Sequence, residues 1–236
     1  MAAPSTKIFQ TFVYTFFFDD GREIKHKVNL CEDGHSVFDE EAKKELEQYR
    51  PFTRLDNNKC THCPLKIEEY ADCPAAINLA SVINSFKEIK TSEKVRIEVE
   101  TSTRTFLFKG DLTKGLHAAV GLAMASSECP YMKFLRPMAL FHLPFANSNE
   151  TIVRAMSFHL LRSYFVSPEK GFEFDSLFAK YRDVETINQG MMERIRTFEV
   201  NDTGMHAIVI LDSFISIFGL KYDNKLADIK KFFENS

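Results

Sequence analysis

Cys60, Cys63, Cys73 and Cys129 constrain the folding of this chain more than any other feature of its sequence. The first three fall in one short stretch, Cys60-Thr-His-Cys63-Pro64 and then Cys73-Pro74, directly before a run of helical periodicity. The fourth comes after a further hairpin pattern and an alanine-rich segment, at Cys129-Pro130. If the four meet at one metal group, residue 129 must return to residue 60. Binding energy then becomes folding energy, because such a site does not exist in the unfolded chain.

Thiolates are the soft ligands that select zinc or iron–sulfur clusters. A Cys-x-x-Cys step lets one turn present two sulfurs to the same group. Proline after cysteine removes a backbone donor and stiffens the chain at the ligand. Ferredoxin-type cluster ligands share that feature, which tilts the reading toward an iron–sulfur cluster over zinc. The spacing is neither that of the compact ferredoxin run nor that of a paired Cys-x-x-Cys ribbon. Two plainer readings stand beside it. Cys60 and Cys63 could form a redox pair, since Cys-x-x-Cys lowers one thiol's pKa, and free cysteine is often a small buried hydrophobe. His62, between two cysteines, is expected to face solvent or a hydrogen-bond acceptor rather than a metal.

Five cysteines cannot all pair within one chain. Met1 to Thr6 shows no basic region leading into an apolar run, so no signal peptide is read, and the expected compartment is the cytoplasm. There, clustered cysteines mean metal or catalysis more often than disulfides. The longest apolar stretch, Ala207 to Leu220, is interrupted by Asp212 and too short to cross a bilayer. A net charge of −3 gives no electrostatic footprint for nucleic acid. Neither nucleic acid nor a membrane is an expected partner, whereas a protein partner is compatible with the composition. Twenty-three phenylalanines and no tryptophan point to a thick apolar core, or to a face that meets such a partner.

In chain order, Lys7 to Phe18 is β-branched and aromatic, with Ile8, Phe12, Tyr14, Phe16 and Phe18 on one face. Asp19-Asp20-Gly21 signals a turn. Arg22 to Cys31 alternates, Ile24, Val28 and Leu30 against Glu23, Lys25, Lys27 and Asn29. Parity puts Cys31 on the polar face, as a bystander to the metal. Phe38 to Tyr49 reads as a charged helix ended by Pro51. Pro74 suits the first turn of the next helix, with Asp72 as a candidate cap. Val95 to Val99 and Arg104 to Lys109 form a second hairpin around Thr101-Ser102-Thr103.

From Asp111 the pattern turns helical. Leu112 to Ala125 is rich in small residues. The stretch from Cys129 to Phe145 is punctuated by proline and carries two polar residues among apolar ones. Arg136 is placed to neutralise the thiolates, and His142 reads first as a hydrogen-bonded core histidine. Asn147 and Glu150 form a capping box for a helix to about Val166, with Ile152, Met156, Leu160 and Tyr164 as its ridge. Helices are predicted over 174–181, 183–198 and 203–218, with a last one from Asp223 carrying Leu226, Ile229, Phe232 and Phe233. No glycine-rich phosphate loop, Gly-x-Ser-x-Gly motif or isolated carboxylate pair is present.

The segments Cys60-x-x-Cys63-Pro-Leu, Cys73-Pro, Glu-Cys129-Pro-Tyr-Met, Arg136-Pro and Phe-His142-Leu-Pro-Phe together resemble a bacterial family of unknown function. That resemblance implies no substrate and no catalytic role. It places the four cysteines, Arg136 and His142 in the segments chosen on chemistry.

The expectation is an α+β protein. A four-stranded antiparallel sheet with a helix occupies residues 1–110, and a helical region occupies 111–236. Metal is held by Cys60, Cys63, Cys73 and Cys129, with Arg136 and His142 beside the group. The function read from this is a non-enzymatic, metal-containing binding or sensor protein. The alternative is a redox enzyme or electron carrier using the cluster or the Cys60/Cys63 pair.

Overall fold

The computed structural model describes residues 7–86, 93–166, 173–198 and 229–234. Period-two alternation builds its sheet. β1 (Gln10–Phe18) and β2 (Glu23–Leu30) form a hairpin whose turn needs Gly21 at a φ of 87°. β3 (Lys94–Glu100) and β4 (Thr105–Asp111) form the second hairpin. β1 also pairs with β3, so the order is β2-β1-β3-β4 and every pairing is antiparallel. Phe12, Tyr14, Phe16 and Phe18 are buried on one face with Val95, Ile97 and Val99, while Lys25, Lys27 and Arg96 are exposed.

Two short helices follow β2. α1 (Glu40–Leu46) is capped by Asp39, whose carboxylate accepts from the Ala42 amide at 2.9 Å. Pro51 does not end this helix. It lies in the first turn of α2 (Arg50–Thr53), where its missing N–H removes no intrahelical bond. α3 (Pro74–Phe86) and α4 (Leu112–Ala125) pack against each other and cover the apolar face of the sheet. Gly115 permits this approach, since a Cβ there would collide with Phe16 and Ile97.

The rest of the described chain is helical: α5 (Arg136–Leu140), α6 (Ser148–Val166) and α7 (Asp175–Phe198). The capping box forms, with Asn147 Oδ1 accepting from the Glu150 amide at 3.0 Å and Glu150 Oε2 accepting from the Asn147 amide at 2.7 Å. The buried stripe of α6 is Ile152, Ala155 and His159, and Tyr164 on the expected ridge is exposed. Small Ala155 lets the helix sit down on that side, and His159 Nε2 finds the Glu173 carbonyl 2.9 Å away.

The two helices predicted over 174–181 and 183–198 are one, because neither proline nor glycine falls between Phe174 and Gly190 and Asp183 caps nothing. The helix predicted over 203–218 lies outside the described residues. Of the last one, Ile229 is buried, and Phe232 and Phe233 are exposed.

The α+β class expected from the sequence is the fold observed, a four-stranded antiparallel sheet with helices followed by helical chain. One buried cluster runs from Phe12 to Ile195, through both halves of the sequence. Among the described residues no helix is long and apolar enough to cross a membrane.

Candidate functional site

The chain between α2 and α3 is a loop pinned at its base. The Cys73 amide donates to the Thr53 carbonyl at 2.7 Å, and the Leu55 amide to the Ala71 carbonyl at 2.9 Å. Asp72, the expected helix cap, instead accepts from the Thr53 hydroxyl at 2.8 Å. Within the loop the Cys63 amide closes a tight turn on the Cys60 carbonyl at 3.0 Å. Cys73 itself stands at the start of α3, where the amides of Ala75 and Ala76 point at its sulfur. That is the positive end of the helix, suited to a thiolate.

Cys129 reaches this loop through its neighbours. Its turn is closed by the Met132 amide donating to the Cys129 carbonyl at 3.0 Å. The Tyr131 hydroxyl then donates to the His62 carbonyl at 2.9 Å, and the two rings meet edge-on at 4.3 Å. The turn carrying Cys129 is thereby docked on the turn carrying Cys60 and Cys63.

The sulfurs are close enough to feel one another's charge. Burial pushes the Cys129 thiol up to about 12, with Cys73 and Cys60 adding to the rise and the amides of Tyr131 and Met132 opposing it. Burial also raises Cys60, followed by the charges of Cys73 and Cys63. Apolar surroundings thus disfavour lone thiolates here. The four are not packed tightly enough for three of them to surround a point: no three of their sulfurs lie within 4.8 Å of one another.

α7 closes the site from the other side. A Cβ at Gly190 would lie 3.2 Å from Cys60 Sγ, so glycine lets the helix approach the loop. One turn later Arg194 is only 1% exposed. Its Nη1 donates to the carbonyls of Phe52 at 2.8 Å and Arg54 at 2.6 Å, and its Nη2 to Leu55 at 3.4 Å. None of these acceptors carries charge. Burial pulls the guanidinium's pKa down, and the groups that restore it are first Cys73, then Cys60 and Cys63. Asp56 comes after them and is engaged at the surface by Arg54.

The remaining sequence candidates sit elsewhere. Arg136 Nη1 donates to Asp33 Oδ2 at 2.7 Å, which engages it at the turn that carries Cys31. His142 is half-buried with its Nε2 2.6 Å from the Tyr14 hydroxyl, and burial lowers its pKa to about 3. Cys31 is not on the polar face: it is fully buried. The strand ends at Leu30, and a turn through Gly34 at a φ of 84° carries the sulfur inward. There the Cys31 thiol donates to Asp33 Oδ1 at 2.8 Å and lies 3.0 Å from His35 Nδ1. His35 Nδ1 also bonds Asp33. Among the described residues these three form the one group whose ligand atoms all lie within 4.8 Å, close enough for a single ion.

Sequence reasoning missed Gly190 and Arg194. A signal existed: Arg194 falls three residues after Met191 and seven after Ile187, on the apolar stripe of α7.

The chain belongs to the family described as Domain of unknown function (DUF6901), which matches residues 12–234. Comparison with curated proteins and with solved structures finds no match.

Proposed function

We propose that Cys60, Cys63, Cys73 and Cys129 bind one metal group, an iron–sulfur cluster in preference to a single zinc ion, and that the protein is a non-enzymatic sensor or binding protein built around it. The observation that carries this reading is Arg194, a buried cation that hydrogen-bonds only to uncharged carbonyls and is close enough to Cys73, Cys60 and Cys63 to be stabilised by negative charge on them. A buried charge without a counter-charge is strongly destabilising. Protonated thiols would leave Arg194 in that condition, whereas an anionic thiolate–metal group compensates it.

The proline that follows Cys63, Cys73 and Cys129 is the feature that favours a cluster over zinc. Zinc holds its sulfurs at about 2.3 Å, so tetrahedral partners lie roughly 3.8 Å apart. A 4Fe–4S cluster holds its thiolates wider apart, because each binds a different iron. Once bound, such a group supplies a one-electron redox centre. The chain's own part is to clamp the loop at Thr53 and Cys73, to dock Cys129 through Tyr131, and to hold Arg194 against the negative charge.

The half-buried state of Cys60 and Cys63 supports the second reading, an electron carrier, because it leaves one side of the group near the surface. A cytoplasmic location suits either reading. Anaerobic purification with iron, acid-labile sulfide and zinc analysis is the test. A brown protein with iron and sulfide in equal amount is expected. A colourless protein with one zinc would replace the cluster by a structural ion, and a metal-free protein would end the proposal.

A further inference from the structure

A cavity of about 220 Å³ lies between α4, α5 and the start of α6, on residues separate from the four thiols. Its walls are mainly apolar, with Met124, Leu135, Met138 and Phe145 among them. Its charged lining is one-sided: the basic side chains Lys114, His117, His142 and Arg154 stand with the hydroxyls of Ser148, Thr151 and Tyr181, and among the described residues no carboxylate lines it.

These basic groups are differently held. Arg154 directs Nη2 at the carbonyls of Met138 and Phe141 and lies over the Phe158 ring, and its other N–H groups make no hydrogen bond among the described residues. Its acidic neighbour Glu150 is occupied by the capping box. Lys114 is an exposed residue of the lining. His142 is kept neutral, by burial first and then by the charge of Arg154, so it offers a hydrogen bond without adding charge. One wall is strained: Phe145 takes a φ of 63° while its ring stacks on Phe108 at 5.1 Å. A bulky residue seldom adopts that backbone, and such outliers gather at ligand clamps.

We infer that this cavity binds a small monocarboxylic acid, its apolar body against Met124, Leu135 and Met138 and its carboxylate toward Arg154 and Lys114. The volume is below the roughly 300–1,000 Å³ of drug-sized pockets, which restricts the ligand to a short aliphatic or single-ring acid. A carboxylate suits the site better than a phosphate, because most of the lining is apolar. The segment from Cys129 to Met138 runs from the thiol site to this wall, but the inference does not rest on metal being bound there.

Calorimetric titration of the purified full chain tests it, with hexanoate and benzoate as probes against hexanamide and benzamide. Saturable binding of at least one acid is expected, with its amide at least about tenfold weaker, the loss of a charge-assisted hydrogen bond. Lys114→Gln and Arg154→Gln should each weaken the acid several-fold, and Lys109→Gln on the exposed side of β4 should not. Should Arg154→Gln fail to fold, Lys114→Gln decides alone. The inference is overturned if acid and amide bind alike, if neither acid binds at millimolar concentration, if inorganic phosphate binds where the acids do not, or if Lys114→Gln matches the parent.

Discussion

The two thiol-bearing regions of the molecule answer their charges differently. Around Cys31 the account is closed within five residues and one neighbour: the thiol donates to Asp33, His35 bonds both, and Arg136 pairs with the carboxylate. Around Cys60, Cys73 and Cys129 there are sulfurs in apolar surroundings and one buried arginine, with only carbonyls as its hydrogen-bond partners. A polar cluster that satisfies itself is complete as it stands. One that holds an unbalanced buried cation calls for a further anionic partner. Cys73, Cys60 and Cys63 are the thiols close enough to act on that cation, and this asymmetry, more than the number of cysteines, separates the proposed metal centre from a hydrogen-bonded turn.

The harshest way to break the comparison is to remove one thiol from each region. Cys73→Ser and Cys129→Ala are expected to lose the metal, and Cys31→Ser to keep it. Structural thiolate sites carry on the order of 10 kcal/mol of apparent binding energy, comparable to a domain's whole stability. The loss should therefore appear as loosened docking of the chain after residue 111. Limited proteolysis beside metal analysis reads both effects. Retained metal in Cys129→Ala with unchanged protection would make Cys129 a buried thiol only. Equal metal loss in Cys31→Ser would merge the two regions.

Arg194→Met sharpens the same contrast. If the thiol site is anionic, the loaded protein should lose about 3–5 kcal/mol, the cost of leaving a buried charge unpaired. The stripped protein should lose less or gain, since there the guanidinium is the uncompensated group. Denaturant unfolding of both forms measures the difference. The same loss in both forms would reduce Arg194 to a clamp on the Phe52, Arg54 and Leu55 carbonyls.

A smaller effect is expected from Gly190→Ala. Alanine gains about 1 kcal/mol over glycine within a helix, but its Cβ would stand 3.2 Å from Cys60 Sγ. In the stripped protein the loop can yield and the helical gain should show. In the loaded protein the sulfur is fixed, and the gain should vanish or reverse. A variant equally stabilised in both forms would mean that the metal does not fix Cys60.

Much of this was legible in the sequence. Alternation over Phe12–Phe18 and Glu23–Leu30, with Gly21 between, specifies a hairpin with one buried face, and local rules suffice for that. Asn147 and Glu150 likewise announce the start of α6 through a contact three residues apart. Parity misled at Cys31 because it presumes that the strand continues, whereas β2 stops at Leu30 and the chain turns inward at Gly34. Arg194 was unreadable in its role for another reason. Its partners lie on α2 and the cysteine loop, and only the packing of α7 against them brings the charge to the thiols.

The least effect is expected from Asp33→Asn, and it probes the closed side of the comparison. Burial works against the Asp33 carboxylate, but the bonds from Cys31 and His35 and the charge of Arg136 outweigh it and hold the pKa at about 2, below the ordinary 3.8. A carboxylate so lowered contributes stability that is fully present above its ordinary value and is lost as pH falls through that value toward 2. Its side chain is 55% exposed, so solvent screening keeps the contribution under about 1 kcal/mol. Asparagine can still accept from the Cys31 thiol and loses only the charge. Urea midpoints of parent and variant should therefore differ slightly at neutral pH and converge in acid, with metal content equal throughout. A variant that loses metal, or whose deficit grows as the pH falls, would show that the Cys31 turn does not settle its own charge and that the two thiol regions work as one.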